Sequence, residues 1–400
     1  MSDRSTLTDR GMAGGGAPSA AAASAAAAGR TTTGRIDPAS PGPAAMIACE
    51  GAGIAGIGIA YPLPPKGSGP LSNYEVIRLC APRGPRGQRG EEGIHQLGTA
   101  FEASLGIAAR HWAHQVGTPF TDGALSSVDL GAEALERAMV DADASVEDLG
   151  AILAATSTPS RVTGANAPQI AARVGARCMA FDLRSGCTAG LLALVQGHLL
   201  ATALGQPVAV VASDTFSKLA PPTSALASLA FGDAGAAIIV RPCDATLGPS
   251  SGVPSAVFGS DGNLGHLASA PSPFPITKEA MDRGLYFLQG DPEAMSSLTS
   301  ELYAEVTTQV LGSLGLAPSE VDLFVPHQTS GPAVEAAAAA AGIPLDRTVV
   351  TVREHANCGS PTVMMALARA REEGRLSKGS LVLCAVVGGG LAWGAAALRI

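Results

Sequence analysis

The sequence predicts an α/β fold built in two similar halves, and three observations carry that prediction. From Met46 onward, short apolar runs rich in Val and Ile alternate with longer Ala- and Leu-rich stretches, the pattern of strands and helices packed in layers. Near Arg241 the pattern restarts, as an internal duplication would, although identity between the halves is too weak to display it residue by residue. The chain has 400 residues, 46% hydrophobic and only 15% charged, enough to bury a substantial core.

In the first half, residues 46–240, apolar runs predict strands at Ile54 to Ile59, Ala151 to Ala155, Met179 to Leu183, Val208 to Ala212 and Ala236 to Val240. A helix is expected from Thr188 to about Ala203. In the second half, residues 241–400, strands are expected at Val253 to Phe258, Leu323 to Val325, Val349 to Val352, Leu381 to Val387 and Ala395 to Ile400. A long helix should run from Met295 to Leu311.

Residues 1–45 are low-complexity Ala, Gly, Ser, Thr and Pro with scattered arginines, too poor in large apolar side chains to pack, and read as a disordered tail. A transit peptide shares the Arg and Ser, but Asp3, Asp9 and the dominance of alanine favour a plain tail. Between Ala81 and Gly93 lies Pro82-Arg83-Gly84-Pro85-Arg86-Gly87-Gln88-Arg89-Gly90, which cannot be helix or strand. It reads as a solvated loop, with a grip on a phosphate or an acidic carrier protein as the sharper alternative.

A net charge of −8 excludes nucleic acid as the main partner, since binding to phosphates needs a dense basic surface. No run of about eighteen apolar residues is free of Gly and charge, so no membrane span is expected. The 7 cysteines show no CxxC pair and no zinc spacing, which fits free thiols in a reducing cytoplasm with no metal or cofactor implied.

Cys187 is the candidate nucleophile. It stands in Arg184-Ser185-Gly186-Cys187-Thr188-Ala189-Gly190, after a strand-like run and at the start of a helix-like one. There the unpaired N–H groups and the positive end of the helix dipole favour thiolate, and such settings lower a thiol pKa into the range of roughly 3.5 to 7.5. Gly186 and Gly190 allow a sharp turn and close approach of a substrate or neighbouring strand. A small, inert core cysteine is the competing reading.

Two second-half loops offer partners. Leu323-Phe324-Val325-Pro326-His327-Gln328 puts a histidine just past a strand end, where ligands bind in α/β sheets. Glu354-His355-Ala356-Asn357-Cys358-Gly359-Ser360-Pro361 offers an asparagine between a strand and a helix; a helix cap or Asx-turn is its bland reading. Val387-Gly388-Gly389-Gly390-Leu391-Ala392-Trp393-Gly394 presents backbone N–H groups able to bind an oxyanion.

Together these blocks carry a resemblance. Asp182 to Leu191, Phe231-Gly232-Asp233-Ala234-Gly235-Ala236-Ala237, Val325-Pro326-His327-Gln328, His355-Ala356-Asn357 and Gly388 to Arg399 resemble the ketosynthase III family of β-ketoacyl-acyl-carrier-protein synthases, of the thiolase superfamily, over roughly Ile54 to Ile400. The resemblance implies a duplicated α-β-α-β-α five-layered thiolase-like fold and a homodimer. It also implies a triad of Cys187, His327 and Asn357, an oxyanion hole from Cys187 and Gly390, and substrate contacts at Thr163, Phe231 and Gly389. The implied reaction loads an acyl group from a coenzyme A or acyl-carrier-protein thioester onto Cys187. A malonyl-type thioester then loses carbon dioxide, and its enolate, held by donors from His327 and Asn357, condenses with the acyl group.

Departures concern the substrate. Where familiar members carry a Trp and an Arg for coenzyme A, this chain has Ala100-Phe101-Glu102-Ala103-Ser104-Leu105, and Gln328-Thr329-Ser330-Gly331-Pro332 lacks the usual arginine after the histidine. Near Thr163 the family often has a bulky aromatic. These point to polyketide or specialised fatty-acid assembly. Two alternatives stand beside condensation: a non-decarboxylating acyltransferase serving an alcohol, amine or thiol, and a non-catalytic partner subunit, which would ordinarily have lost its nucleophile.

Overall fold

The computed structural model describes residues 45–80, 90–114, 123–220, 225–244 and 251–400. The tail up to residue 44 and residues 81–89 of the arginine-rich segment lie outside them.

The strands of the first half are β1 (Ala45–Glu50), β2 (Ala52–Ala60), a small pair β3 (Ser68–Ser72) and β4 (Ala109–Trp112), then β5 (Ala151–Ala155), β6 (Met179–Leu183), β7 (Val208–Thr215) and β8 (Asp233–Pro242). Those of the second are β9 (Gly252–Ser260), a short pair β10 (Ala268–Ser269) and β11 (Gln289–Gly290), β12 (Leu323–Pro326), β13 (Leu381–Gly388) and β14 (Ala392–Arg399). Nine of the ten expected strands stand where the apolar runs put them.

One 5-stranded sheet has the order β2-β8-β7-β5-β6 and the other β1-β9-β14-β13-β12. In the first, β5 pairs in parallel with β6 and β7, and β8 runs antiparallel to β7 and β2. In the second, β12 and β13 are parallel, while β14 is antiparallel to β13 and β9. The repeat is therefore visible in strand direction and order. β1 is the exception, because it pairs antiparallel with β9 and so places residues 45–50 in the second half's sheet.

The expected strand at Val349 to Val352 is not one. A single parallel bridge joins Thr348 to Phe324, and the chain then turns into a short helix, Val352–His355. The reason is a side chain. Gln328 donates through Nε2 to Val349 O (3.0 Å), and its Oε1 accepts from Thr351 N (2.8 Å) and Val352 N (3.2 Å), taking the backbone groups that a neighbouring strand would use.

Helices α1 (Ser127–Asp141) and α2 (Asn166–Val174) cover the outer face of the first sheet, and α4 (Pro292–Leu314) and α5 (Gly331–Ala341) that of the second. Between the sheets lie α3 (Ala189–Leu204) and α6 (Thr362–Glu372), which completes five α-β-α-β-α layers. α3 is apolar all round because it is wedged against both sheets, as a fully buried helix must be. The stretch Gly186–Leu204 is long and apolar enough by composition to cross a membrane, yet it is the central core helix. β6, at a sheet edge, leaves two large apolar side chains exposed, Met179 by 46% and Phe181 by 38%.

Candidate active site

Cys187 follows β6 by a tight turn through Gly186, whose φ of 54° is in the left-handed region that glycine adopts freely. The turn is enclosed by second-half backbone. A Cβ on Gly186 would meet Gly389 O at 2.2 Å, one on Gly190 would meet Ser360 O at 2.0 Å, and one on Gly388 would meet the Cys187 Cβ at 2.9 Å. The Thr188 hydroxyl donates to Ala392 O (3.0 Å) across the same seam. Thus the glycine turn and the loop after Asn357 both press directly on the nucleophile's helix start.

His327 is placed by the end of β12. Its N–H donates to Ala385 O (2.8 Å) on β13, three residues before Gly388, so the histidine stands beside the glycine turn. Its Nδ1 lies 2.6 Å from Thr362 Oγ1, while Nε2 is buried without a partner. The Thr362 hydroxyl has one proton and two acceptors, Gly359 O at 3.1 Å and His327 Nδ1. Donating to Gly359 leaves Nδ1–H and a basic Nε2; donating to Nδ1 leaves Nε2–H. In both tautomers Nδ1 is paired and Nε2 is left open.

Asn357 is clamped at three points. Its N–H donates to Ala230 O (3.0 Å), its carbonyl accepts from Gly232 N (3.1 Å), and its Oδ1 accepts from Gly359 N (2.9 Å). With Oδ1 committed, the amide N–H groups are the free end, and no partner for them exists among the described residues. The preceding Ala356 has φ 57° and ψ −163°, a region that glycine alone visits without strain. Phe231 forms a bridge with Asn357 and stacks on Phe216 (5.3 Å), and the Phe216 ring abuts Gly359. Phe231, expected to contact substrate, is therefore paired through its backbone with Asn357.

The three segments come together because Thr362, which holds His327, starts the helix that Asn357 leads into, and Ser360 between them touches Gly190. Tyr303 of α4 links the rest: its buried hydroxyl faces the backbone of Val387 and His327 and lies within electrostatic reach of Cys187, and burial pushes its pKa up.

Electrostatics reverse one expectation. The Cys187 thiol is pushed up to about 12, chiefly by burial and then by the nearby Asp214, and the N–H groups of Cys187 and Gly389 only partly offset this. The helix start does donate to the sulfur, but desolvation of the anion wins. His327 is lowered to about 4 by burial, so it is neutral at pH 7. Thiol and imidazole are therefore both neutral at pH 7, and the unpartnered Nε2 is the open nitrogen of the ring.

The remaining assignments divide. Gly389, expected to contact substrate, supplies the N–H at the sulfur, whereas Gly390 lies one residue on with its carbonyl against Gly265. The glycine N–H beside the sulfur is thus that of Gly389, not of Gly390. Thr163 is exposed on the loop between β5 and α2, and this chain brings nothing from the triad to it. Cys358 is buried with its Sγ on His355 O (3.2 Å), away from the turn that carries Cys187. The helix Glu91–Leu105 covers the region expected to hold coenzyme A, and its Glu102 pairs with Arg353 at 2.7 Å.

Sequence reasoning missed Asp214, Thr362, Ser360 and Tyr303. Asp214 alone left a signal: a carboxylate inside the apolar run Val208-Ala209-Val210-Val211-Ala212-Ser213-Asp214 needs buried donors to satisfy it.

Comparison with known proteins agrees with this layout. Residues 181–262 match the family described as 3-Oxoacyl-[acyl-carrier-protein (ACP)] synthase III, and residues 311–400 match its C-terminal part. The chain is 32% identical over 297 residues to the Beta-ketoacyl-[acyl-carrier-protein] synthase III of Sphingopyxis alaskensis, covering 74% of this chain and 88% of that one. Its identity to one from Streptomyces coelicolor is 32% over 301 residues, with 74% and 87% covered. Among solved structures, 3-oxoacyl-(acyl carrier protein) synthase III from Pseudomonas aeruginosa superimposes with a TM-score of 0.72 at 25% identity, covering 87% of this chain and 98% of that one.

Proposed function

Because the chain belongs to the 3-oxoacyl-[acyl-carrier-protein] synthase III family, we propose that it is a condensing enzyme that loads an acyl group on Cys187 and joins it to a decarboxylated malonyl-type thioester. The observation that carries the second step is the Asn357 amide, turned outward by Gly359 N beside neutral His327. Two uncharged donors at one carbonyl oxygen are what a developing enolate requires, and neither donor ionises at neutral pH.

In the first step His327 Nε2 takes the Cys187 proton as sulfur attacks the acyl carbonyl; the N–H groups of Cys187 and Gly389 hold the oxyanion, and the thiolate leaving group recovers the proton. In the second, the carbon–carboxylate bond breaks, carbon dioxide leaves, and the enolate carbon displaces the Cys187 sulfur. An acyl carrier protein is the partner this reading assigns, in a specialised pathway of polyketide or fatty-acid type. A homodimer fits the open edge of β6 with its exposed Met179 and Phe181. A reducing cytoplasm fits the free cysteines among the described residues.

The test is intact-mass analysis after mixing the protein with acyl thioesters on coenzyme A and on carrier proteins, followed by malonyl-carrier protein. An adduct absent in Cys187→Ala and discharged with release of carbon dioxide is expected. An adduct passed on without carbon dioxide release means simple acyl transfer, and no adduct with any donor means a non-catalytic partner subunit.

A further inference from the structure

Asp214 ends β7 in the first half and is fully buried. Its Oδ1 accepts from Thr156 Oγ1 (3.0 Å), Ser157 N (2.6 Å), Thr158 N (2.9 Å) and Thr158 Oγ1 (2.9 Å), all at the end of β5. Its Oδ2 accepts from Ser360 N (2.8 Å) and Ser360 Oγ (2.7 Å), in the loop that carries Asn357. Every neighbour is a donor, as suits an acceptor-only carboxylate. One oxygen is thus bound to the half that holds the nucleophile and the other to the half that holds the decarboxylation donors.

We propose that Asp214 is a positioning residue that registers the Asn357 loop against the Cys187 helix, so that condensation depends on it and acyl loading does not. This rests on the condensing-enzyme reading above. Ser360 is the pivot: its N–H and hydroxyl go to Asp214, while its carbonyl lies against Gly190, three residues after the nucleophile. Gly359, which orients the Asn357 amide, is the residue before it. Loading uses the Cys187 and Gly389 N–H groups and His327, none of which touches Asp214 through a hydrogen bond.

In Asp214→Asn the four donors at Oδ1 keep that atom an oxygen, so the new NH2 group faces Ser360 N–H and its hydroxyl. The NH2 then opposes the Ser360 N–H, while the Ser360 hydroxyl can only turn away to Ala155 O (3.2 Å), so the loop loses the anchor of its backbone. Displacing a reacting group by about 1 Å costs on the order of a hundredfold. The groups that titrate around Cys187 are Asp214, Tyr303 and His327, so removing the carboxylate also removes a negative charge that disfavours thiolate.

The experiment measures both half-reactions in Asp214→Asn and Ser360→Ala beside wild type: acyl adduct formation on Cys187 by intact mass, and carbon dioxide release from malonyl-carrier protein. The expected result is loading equal to or faster than wild type with decarboxylation reduced about a hundredfold. Equal loss in both steps, or no loss in either, overturns the proposal. If Asp214→Asn fails to fold, Ser360→Ala decides by the same split. Wild type releasing no carbon dioxide would instead overturn the condensing-enzyme reading.

Discussion

Thr362→Val tests how the histidine is set. The substitution keeps the shape of the side chain but removes the hydroxyl 2.6 Å from His327 Nδ1, leaving a fully buried ring nitrogen unpaired. A buried polar atom without a partner costs about 1–3 kcal/mol. If that loss falls on the transition state, at 1.36 kcal/mol per tenfold the rate of carbon dioxide release drops roughly fivefold to 150-fold. Acyl loading also slows, because a basic Nε2 needs a proton parked on Nδ1. The assay is single-turnover loading by intact mass together with carbon dioxide release, and Thr362→Ser, which restores the hydroxyl, should return both close to wild type. A Thr362→Val enzyme with unchanged rates in both steps would show that the hydroxyl does not govern the imidazole.

Other outcomes follow from the same geometry. With the Cys187 pKa raised to about 12, its alkylation by iodoacetamide should climb about tenfold per pH unit from neutral pH to pH 10, and a plateau below pH 8 would contradict the buried thiol. Five histidines, His111, His114, His198, His327 and His355, are depressed to about 4 or below by burial; their unfolded forms bind protons first, so stability is full above about pH 6.5 and falls toward about 4. The buried carboxyls Asp214 and Asp233 are raised and act oppositely, so they offset part of that loss, and urea titration between about pH 7 and 4 measures the balance. Ala356→Gly should raise the melting temperature by relieving about 1–3 kcal/mol of strain against a glycine cost of roughly 0.5–1. Gly190→Ala, with its Cβ at 2.0 Å from Ser360 O, should cost about 1–3 kcal/mol in denaturant melts and abolish carbon dioxide release.

Short apolar strands were the most legible part of the chain, whether buried on both faces like β5 or at a sheet edge like β6. Ala151–Ala155 and Met179–Leu183 match their expected ends to the residue, because a short apolar run between polar breaks admits little else. Val349 to Val352 reads the same way and fails, since what decides it is Gln328, about twenty residues earlier and invisible to local pattern. The place of Cys187 at a strand-to-helix turn was legible. Its charge state was not: the helix start that favours thiolate is a local feature, whereas the burial and the Asp214 carboxylate that oppose it come from other layers. Thr362 and Ser360 read as ordinary helix-start residues, and only their distances to His327 and Asp214 give them a role.

The position of β1 carries a final consequence. The chain enters in the second sheet, crosses at Gly51 to build the whole of the first, and returns at β9 to lie beside the strand it started from. An ancestral repeat with one sheet per copy would come apart at residue 240 as two beads on a string. Here the strand that precedes the first bead is zipped onto the edge of the second, so neither half can be excised, inherited or lost without unzipping its neighbour.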